Sequence, residues 1–174
     1  MVAARSVGSV AGLFVKPETP GERGLPKAPV PRIEVLPAGV VGDFNRWRTE
    51  ERHGDPNMAV LLMDTETLAE LNRQGWPVRP GDLGENVLVQ GVPYAELGSQ
   101  GPWRIGEAVV EIAKPCDPCD NLSGLPYVGR ARAPEFIRTM LGRRGWYGRV
   151  ITAGTVRVGD PVEPLRTARP LAPP

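Results

Sequence analysis

The sequence predicts a mostly β fold, an antiparallel barrel or sandwich with a few short helices packed on its outside. About eight short segments rich in β-branched and other apolar residues have the length of strands, and turn residues separate them at intervals of about eight to twelve residues. Only two segments show helical spacing, so the regular alternation that a doubly wound α/β sheet needs is missing. The 174 residues suit a single domain, with a core over about residues 5–165 and a Pro-rich tail over 166–174.

Strands and turn-rich loops alternate in the first third of the chain. The stretch Val2–Val15 predicts a first strand. The loop Lys16–Pro29 follows, because its four prolines permit neither a helix nor a central strand. Further strands are predicted over Val30–Leu36 and Met58–Met63, with a polar loop over Asn45–Asn57 between them.

The first predicted helix follows the Met58–Met63 strand. Asp64 is suited to cap it, because a carboxylate can accept hydrogen bonds from the free N–H groups of the first turn. Leu68 and Leu71 lie three residues apart on one face, and Gly75 marks the end.

The second half of the chain is predicted to contain mostly strands. A second helix is predicted to begin at Pro134, since proline is tolerated at the first helical position, and to end at Gly142. The predicted strands are Val87–Val89, two strands turned around Gly106 within Trp103–Ala113, and closing strands at Trp146–Thr152, Thr155–Val158 and Pro161–Leu165.

The charge balance narrows the classes of partner. With 21 basic and 20 acidic residues the formal net charge is +1, which offers no overall attraction to nucleic acid or to an anionic membrane. The longest unbroken apolar run, Met58–Met63, has six residues, whereas a bilayer span needs about 20. The N-terminal stretch lacks a clear signal-peptide pattern, so we expect a cytoplasmic protein that contacts neither nucleic acid nor membrane.

The two cysteines, Cys116 and Cys119, follow a predicted strand on a loop that Pro115 and Pro118 stiffen. A thioredoxin-like dithiol is one interpretation of this spacing, although the prolines interrupt the helix that such a pair needs. A zinc site is a second, which would have to recruit the single histidine, His53, and a distant carboxylate. Two inert thiols packed at a strand end are a third, and the residues alone leave these interpretations open.

Two further features could shape a pocket or bind an anion. The loop Gly81–Asn86 has glycines that permit close backbone approach and polar side chains that can orient a neighbour. Between residues 130 and 149, six arginines accompany one acidic residue, Glu135. Any of them that face the cysteine loop could bind a phosphate or an anionic substrate. The six are Arg130, Arg132, Arg138, Arg143, Arg144 and Arg149.

Taken together and in order, several segments resemble the MOSC domain, the C-terminal module of molybdenum cofactor sulfurases, which also has a stand-alone bacterial form. The resemblance covers about residues 5–165 and is carried by Gly81–Asn86, Arg104–Ile112, Pro118–Cys119, Arg144–Val150 and Gly154–Asp160. It implies a MOSC-type β-barrel and a functional cysteine after a proline, a position that Cys119 occupies. Cys116 falls where many members have arginine, and Asn45 falls where relatives with Gly-Asp-x-His have histidine.

The resemblance implies two alternative activities. In one, the domain binds molybdenum cofactor, the cysteine sulfur ligates molybdenum, and N-hydroxylated bases or amidoximes are reduced. In the other, the cysteine carries sulfur as a persulfide for cofactor or metal–sulfur assembly. We expect the reductase, because a thiolate is a soft ligand for a soft metal, whereas Asp117 and Asp120 disfavour the free thiolate of a carrier. A non-catalytic binding module whose arginines contact a partner protein is the remaining alternative.

The resemblance also implies roles for particular residues. Cys119 is assigned as the catalytic residue and molybdenum ligand. The other cofactor-binding candidates are Lys27 as a phosphate contact, Arg149 as a further cation, and Gly84, Glu85 and Asn86 as a pocket wall. The expected partners are an anionic cofactor, a small N-oxygenated substrate and an external electron-donor protein, since no flavin or iron–sulfur motif is present.

Overall fold

A closed, seven-stranded β-barrel forms the centre of the computed structural model, which describes residues 7–99 and 101–165. Over these residues the strands are β1 (Gly8–Val15), β2 (Ala28–Pro29), β3 (Arg32–Leu36), β4 (Gly39–Val40), β5 (Val60–Asp64), β6 (Val87–Gln90), β7 (Trp103–Ile105), β8 (Ala108–Pro115), β9 (Trp146–Thr152), β10 (Gly154–Arg157) and β11 (Pro161–Pro164). The helices are α1 (Thr65–Arg73), α2 (Tyr94–Ser99) and α3 (Gly129–Met140). Shorter helical turns span Trp47–Glu51, Pro56–Met58 and Asp120–Gly124.

The barrel strands follow the order β11, β7, β8, β9, β5, β6 and β1, and β1 pairs with β11 to close the ring. This confirms the predicted β-barrel. One neighbouring pair, β5 and β6, is parallel, and the other barrel pairs are antiparallel. The strands β5 and β6 can be parallel because the connection between them, which contains α1, brings the chain back to the end of the barrel where β5 begins. A smaller sheet of β10, β3 and β4 lies beside the barrel.

Two apolar cores hold these layers together. The first fills the barrel and includes Leu62 and Trp103, both fully buried. The second lies between the barrel and the helices, where the rings of Trp76 and Phe136 are 4.6 Å apart. Every residue of β5 is buried, since its two faces contact different cores. The cysteine loop begins directly after β8, which ends at Pro115.

The first predicted helix is confirmed as α1. The carboxylate of Asp64 accepts a hydrogen bond from the backbone N–H of Thr67 at 2.9 Å, which is the predicted cap. The predicted start of the other helix is wrong, because α3 begins at Gly129 and contains Pro134 in its second turn. Ala133, Phe136 and Met140 are buried in the second core, between the barrel and the helices. Their packing holds this helix in place although Pro134 has no N–H to donate to a helical hydrogen bond.

Other predicted segments differ less from the structure. The segment Asn45–Asn57, predicted as a polar loop, contains two short helical turns, and α2 was not predicted. The predicted tail, and residues 2–6 of the predicted first strand, lie outside the described residues. In the described part of the chain, no helix is long and apolar enough to cross a bilayer.

Candidate functional site

The cysteine loop forms one wall of a cavity of about 300 Å³ beside the barrel. The backbone N–H of Cys116 donates to the carbonyl of Gly145 at 2.9 Å, so the loop is tied to the segment that enters β9. Cys116 is buried, Cys119 is exposed, and neither forms a disulfide. The other lining residues come mainly from the loops at residues 24–27, 44–52, 83–84 and 114–121, together with Met58, Leu61, Arg144 and Tyr147.

Arg144 is the cation nearest the exposed sulfur. Its Nη1 donates to Cys119 Sγ at 3.1 Å and to the carbonyl of Asp117 at 3.0 Å, while its Nε donates to the carbonyl of Leu83 at 3.4 Å. Burial opposes its charge, but the adjacent sulfurs of Cys116 and Cys119 outweigh burial and raise the pKa of Arg144. This buried guanidinium therefore stays charged and stabilises negative charge on the Cys119 sulfur.

The charge count in the sequence anticipated an arginine at this loop without identifying it. Of the six arginines between residues 130 and 149, Arg144 lines the cavity. It also provides a cation beside Cys119. Arg144 begins the segment Arg144–Val150 that carries part of the resemblance, and Arg143 lies outside it, so this segment is the sequence signal that could have identified Arg144.

Cys116 lies in a different environment from Cys119. Burial raises the pKa of the Cys116 thiol, and Arg144 only partly opposes this effect. The Tyr147 hydroxyl contacts both Cys116 and Asn45, and burial is the main reason that the pKa of Tyr147 is raised. Asn45 thus lies on the cavity wall and makes a polar contact there.

Lys27, predicted as a phosphate contact, lies on the cavity wall but has an internal counter-ion. Its Nζ is 2.6 Å from Asp43 Oδ2, and the two side chains are 5% and 6% exposed. Asp43 also accepts hydrogen bonds from Asn86 Nδ2 at 2.9 Å and from the backbone N–H of Lys16 at 2.8 Å. Burial lowers the pKa of Lys27, with Asp43 opposing the effect.

The three residues predicted to form a pocket wall occupy different positions. Gly84 lines the cavity with a φ of +91°, a conformation that favours glycine. Asn86 is buried and joins separate segments, since its Oδ1 accepts from the N–H of Leu61 and its Nδ2 donates to the carbonyl of Phe14. It therefore supports the wall from behind, where the sequence motif suggested direct contact.

Glu85 is fully buried behind the same wall. Its Oε1 accepts from the N–H of Gly81 at 2.6 Å, and its Oε2 has no hydrogen-bond partner among the described residues. Burial raises the pKa of Glu85 to about 7, although the Gly81 N–H acts in the opposite direction. Like Asn86, Glu85 is not among the lining residues.

Arg149, predicted as a further cation, lies on β9 outside the cavity lining. Its Nη2 is 2.8 Å from Glu111 Oε2 on the neighbouring strand β8, and both side chains are largely exposed. The predicted contact between Arg149 and a cofactor therefore has no support from this geometry and stays a prediction.

Three cations missed by the sequence prediction also line the cavity. Lys114 pairs with Asp55 at 2.9 Å, and Arg46 pairs with Glu50 at 3.1 Å. The Arg52 guanidinium lies 5.3 Å from the centroid of the Trp47 ring. Both arginines belong to the segment Asn45–Asn57, and their close spacing in that polar segment is the sequence signal that could have identified them.

The described residues contain no group of three or more His, Cys, Asp or Glu side chains that could hold a metal ion. The zinc interpretation of Cys116, Cys119 and His53 therefore has no supporting ligand cluster over residues 7–99 and 101–165. The exposed Cys119 thiol beside the buried Arg144 guanidinium can offer a metal one soft sulfur ligand.

Comparisons with known proteins agree with the barrel architecture. The MOSC domain family model matches residues 49–163. The crystal structure of the YuaD protein from Bacillus subtilis superposes with a TM-score of 0.71 and 21% identity over 92% of this chain and 96% of that chain. YiiM from Geobacillus stearothermophilus gives a TM-score of 0.69 and 22% identity over 91% and 75% of the two chains.

The structure of YiiM from Escherichia coli has a TM-score of 0.64 and 20% identity, with coverage of 92% of this chain and 71% of that chain. At such identities these likenesses show the fold alone. No curated protein gives a significant match.

Proposed function

Since this chain belongs to the MOSC domain family, we propose that it binds molybdenum cofactor in the cavity beside Cys119, with Cys119 Sγ as a molybdenum ligand. MOSC domain proteins are associated in general with binding of this cofactor. The observation that carries the proposal is the exposed Cys119 sulfur, 3.1 Å from the buried Arg144 guanidinium on the cavity wall.

The donor set fits such a group. A cysteine sulfur is a soft ligand, and Arg144 can balance the negative charge that ligation requires on Cys119. Arg52 also lines the wall, with Lys114 and Arg46, although Asp55 and Glu50 pair with the latter two. Arg144 and Arg52 therefore carry most of the positive charge of the wall, which suits a phosphate-bearing cofactor. Lys27 contributes less to this charge because Asp43 neutralises it at 2.6 Å. When bound, the cofactor supplies the redox chemistry, and the protein supplies the ligand, the orientation and the charge.

We propose a small N-hydroxylated base or amidoxime as the substrate class. Reduction of an N–OH group consumes two electrons and two protons, breaks the N–O bond and releases water. The chain has two cysteines, fewer than the four of a usual iron–sulfur cluster, and no flavin motif, so an external donor protein in the cytoplasm provides the electrons.

A second candidate function is sulfur transfer from a persulfide on Cys119. Exposure of this thiol favours it, and Arg144 offsets the unfavourable acids Asp117 and Asp120. The reductase remains the preferred proposal, because the cavity extends well beyond the sulfur and Arg52 also lines it, as cofactor binding requires and a carrier thiol does not.

The test is turnover by protein produced in a host that makes the cofactor. Wild type and Cys119→Ser are incubated with an N-hydroxylated base and a chemically reduced viologen dye, and the reduced base is quantified. We expect product from wild type and at least about a hundredfold less from the variant, since the loss of a metal ligand abolishes a functional site. Cys116→Ser is the matched control, because it also replaces a thiol of the same loop.

Two results would contradict the proposed reductase activity. Equal turnover by wild type and Cys119→Ser would exclude a role for this sulfur. No turnover by either, together with a wild-type intact mass increased by about 32 Da that dithiothreitol reverses, would favour the carrier, because the reductant removes a persulfide sulfur but not two added oxygens.

A further inference from the structure

The proposed function uses one of the two thiols in the cysteine loop and leaves Cys116 without a role. Cys116 and Cys119 line the same cavity, are separated by two residues, and are both free. We propose that they form a reversible disulfide when hydrogen peroxide reaches the cavity, with Cys119 as the attacked thiol and Cys116 as the resolving thiol. This inference does not depend on the proposed function, because it requires neither cofactor nor substrate.

A short chain of contacts connects the two sulfurs. Cys116 Sγ lies 3.8 Å from the carbonyl oxygen of Asp117. The same oxygen accepts a hydrogen bond from Arg144 Nη1 at 3.0 Å, and this nitrogen also donates to Cys119 Sγ at 3.1 Å. The Asp117 carbonyl and the Arg144 guanidinium therefore link the two sulfurs, whose sequence separation is that of known dithiol motifs.

The disulfide can form by movement of Cys119 alone. Cys116 is anchored, because its N–H donates to the Gly145 carbonyl and its side chain is 3% exposed. Cys119 is exposed and follows Pro118 in extended backbone, with φ of −141°. Closure thus requires the Cys119 sulfur to leave Arg144 and turn towards the buried thiol.

The difference in exposure assigns the order of the chemical steps. The Cys119 sulfur attacks one peroxide oxygen, the O–O bond breaks, water leaves, and a sulfenic acid remains. The Cys116 sulfur then attacks the Cys119 sulfur, so that an S–S bond forms and the S–O bond breaks. The departing hydroxide takes the Cys116 proton and leaves as water. In total the two thiols lose two electrons, and one peroxide becomes two waters.

Arg144 makes this disulfide easy to reduce. In the reduced protein the buried guanidinium donates to the Cys119 sulfur, and a disulfide sulfur is a weaker acceptor. Oxidation therefore removes a favourable contact of a buried charge, and disulfides whose reduced form is stabilised in this way are readily reduced. The bond would withdraw Cys119 from the cavity while protecting it from irreversible oxidation.

The experiment uses wild type, Cys116→Ser and Cys116→Ala from a host that does not make the cofactor, so that no metal occupies the Cys119 sulfur. Each protein is exposed to a small excess of hydrogen peroxide, remaining thiols are blocked, and the intact mass is measured. Wild type is expected to lose two hydrogens, about 2 Da, to retain no free thiol, and to recover both thiols in millimolar glutathione. Both variants should instead gain two or three oxygens at Cys119, about 32 or 48 Da, at least about fivefold faster than wild type. Circular dichroism selects whichever variant retains the wild-type fold.

Two outcomes would overturn the proposal. One is formation of sulfinic acid in wild type as fast as in the Cys116 variants. The other is a disulfide that joins two chains, seen as a doubled mass on a non-reducing gel, in place of an internal bond. Neither outcome bears on molybdenum binding, so a failure here is distinguishable from a failure of the proposed function.

Discussion

Lys27→Met should destabilise the protein by about 3 kcal/mol, since it leaves the Asp43 carboxylate buried without its counter-ion. The two charged groups are 2.6 Å apart, and their side chains are 5% and 6% exposed. Removal of one partner from a buried pair costs about 3–5 kcal/mol. Asp43 keeps two donors, Asn86 Nδ2 and the N–H of Lys16, so the lower end of this range applies.

Unfolding in urea and calorimetry measure this loss. For a domain of this size each kcal/mol corresponds to about 2–4 °C, so the melting temperature should fall by about 6–12 °C. The control is the double variant Lys27→Met with Asp43→Asn, beside each single variant. The double variant should recover about half of the lost stability, because it removes the buried charge but leaves one donor unmatched.

The reasoning is refuted if Lys27→Met costs less than about 1 kcal/mol, or if the double variant recovers nothing. The combination of unchanged stability and a lower molybdenum content would instead support the sequence-based role of Lys27 as a phosphate contact.

Two further predictions concern the walls of the cavity. The contribution of Glu85 to stability should be fully present below pH of about 4.5 and disappear as pH rises through about 7, because burial raises the pKa of this carboxyl from 4.5 to about 7. This pH dependence of the free energy of unfolding amounts to about 3 kcal/mol. Urea unfolding of wild type and Glu85→Gln at pH 5 and pH 8 measures it, and the variant should lose most of the dependence. An unchanged pH dependence in Glu85→Gln would contradict the assignment. Arg144→Gln should reduce molybdenum content more than Arg149→Gln, since only Arg144 of this pair lines the cavity, and elemental analysis of both variants decides between them. The opposite ranking would restore Arg149 as the cofactor cation.

The barrel was predictable because its strands are short, β-branched and bounded by glycine or proline. Trp146–Thr152 was predicted with the bounds that β9 has in the structure. The parallel pairing of β5 with β6 was not predictable from local patterns, since it depends on where α1 returns the chain. The α3 start was missed because the preference of proline for a first turn was given more weight than the packing of Ala133 on the outer core.

The site was predictable in its residue types more than in its contacts. The cysteine loop, the Gly84 wall and the presence of a nearby arginine follow from the sequence. The inward position of Arg144 depends on tertiary structure, as does the engagement of Lys27 by Asp43 across 16 residues of chain. The position of Arg149 outside the cavity was not predictable either, because its pairing with Glu111 depends on the register of β8 and β9.

Molybdenum per chain tests the central claim most directly, measured by elemental mass spectrometry on wild type, Cys119→Ser and Cys116→Ser from a cofactor-competent host. The account predicts about one molybdenum per chain in wild type, a similar amount in Cys116→Ser, and loss of the metal in Cys119→Ser. Equal molybdenum in wild type and Cys119→Ser would contradict the assignment of Cys119 as a ligand. Its absence from all three proteins, with a molybdenum enzyme from the same host fully loaded, would contradict cofactor binding itself.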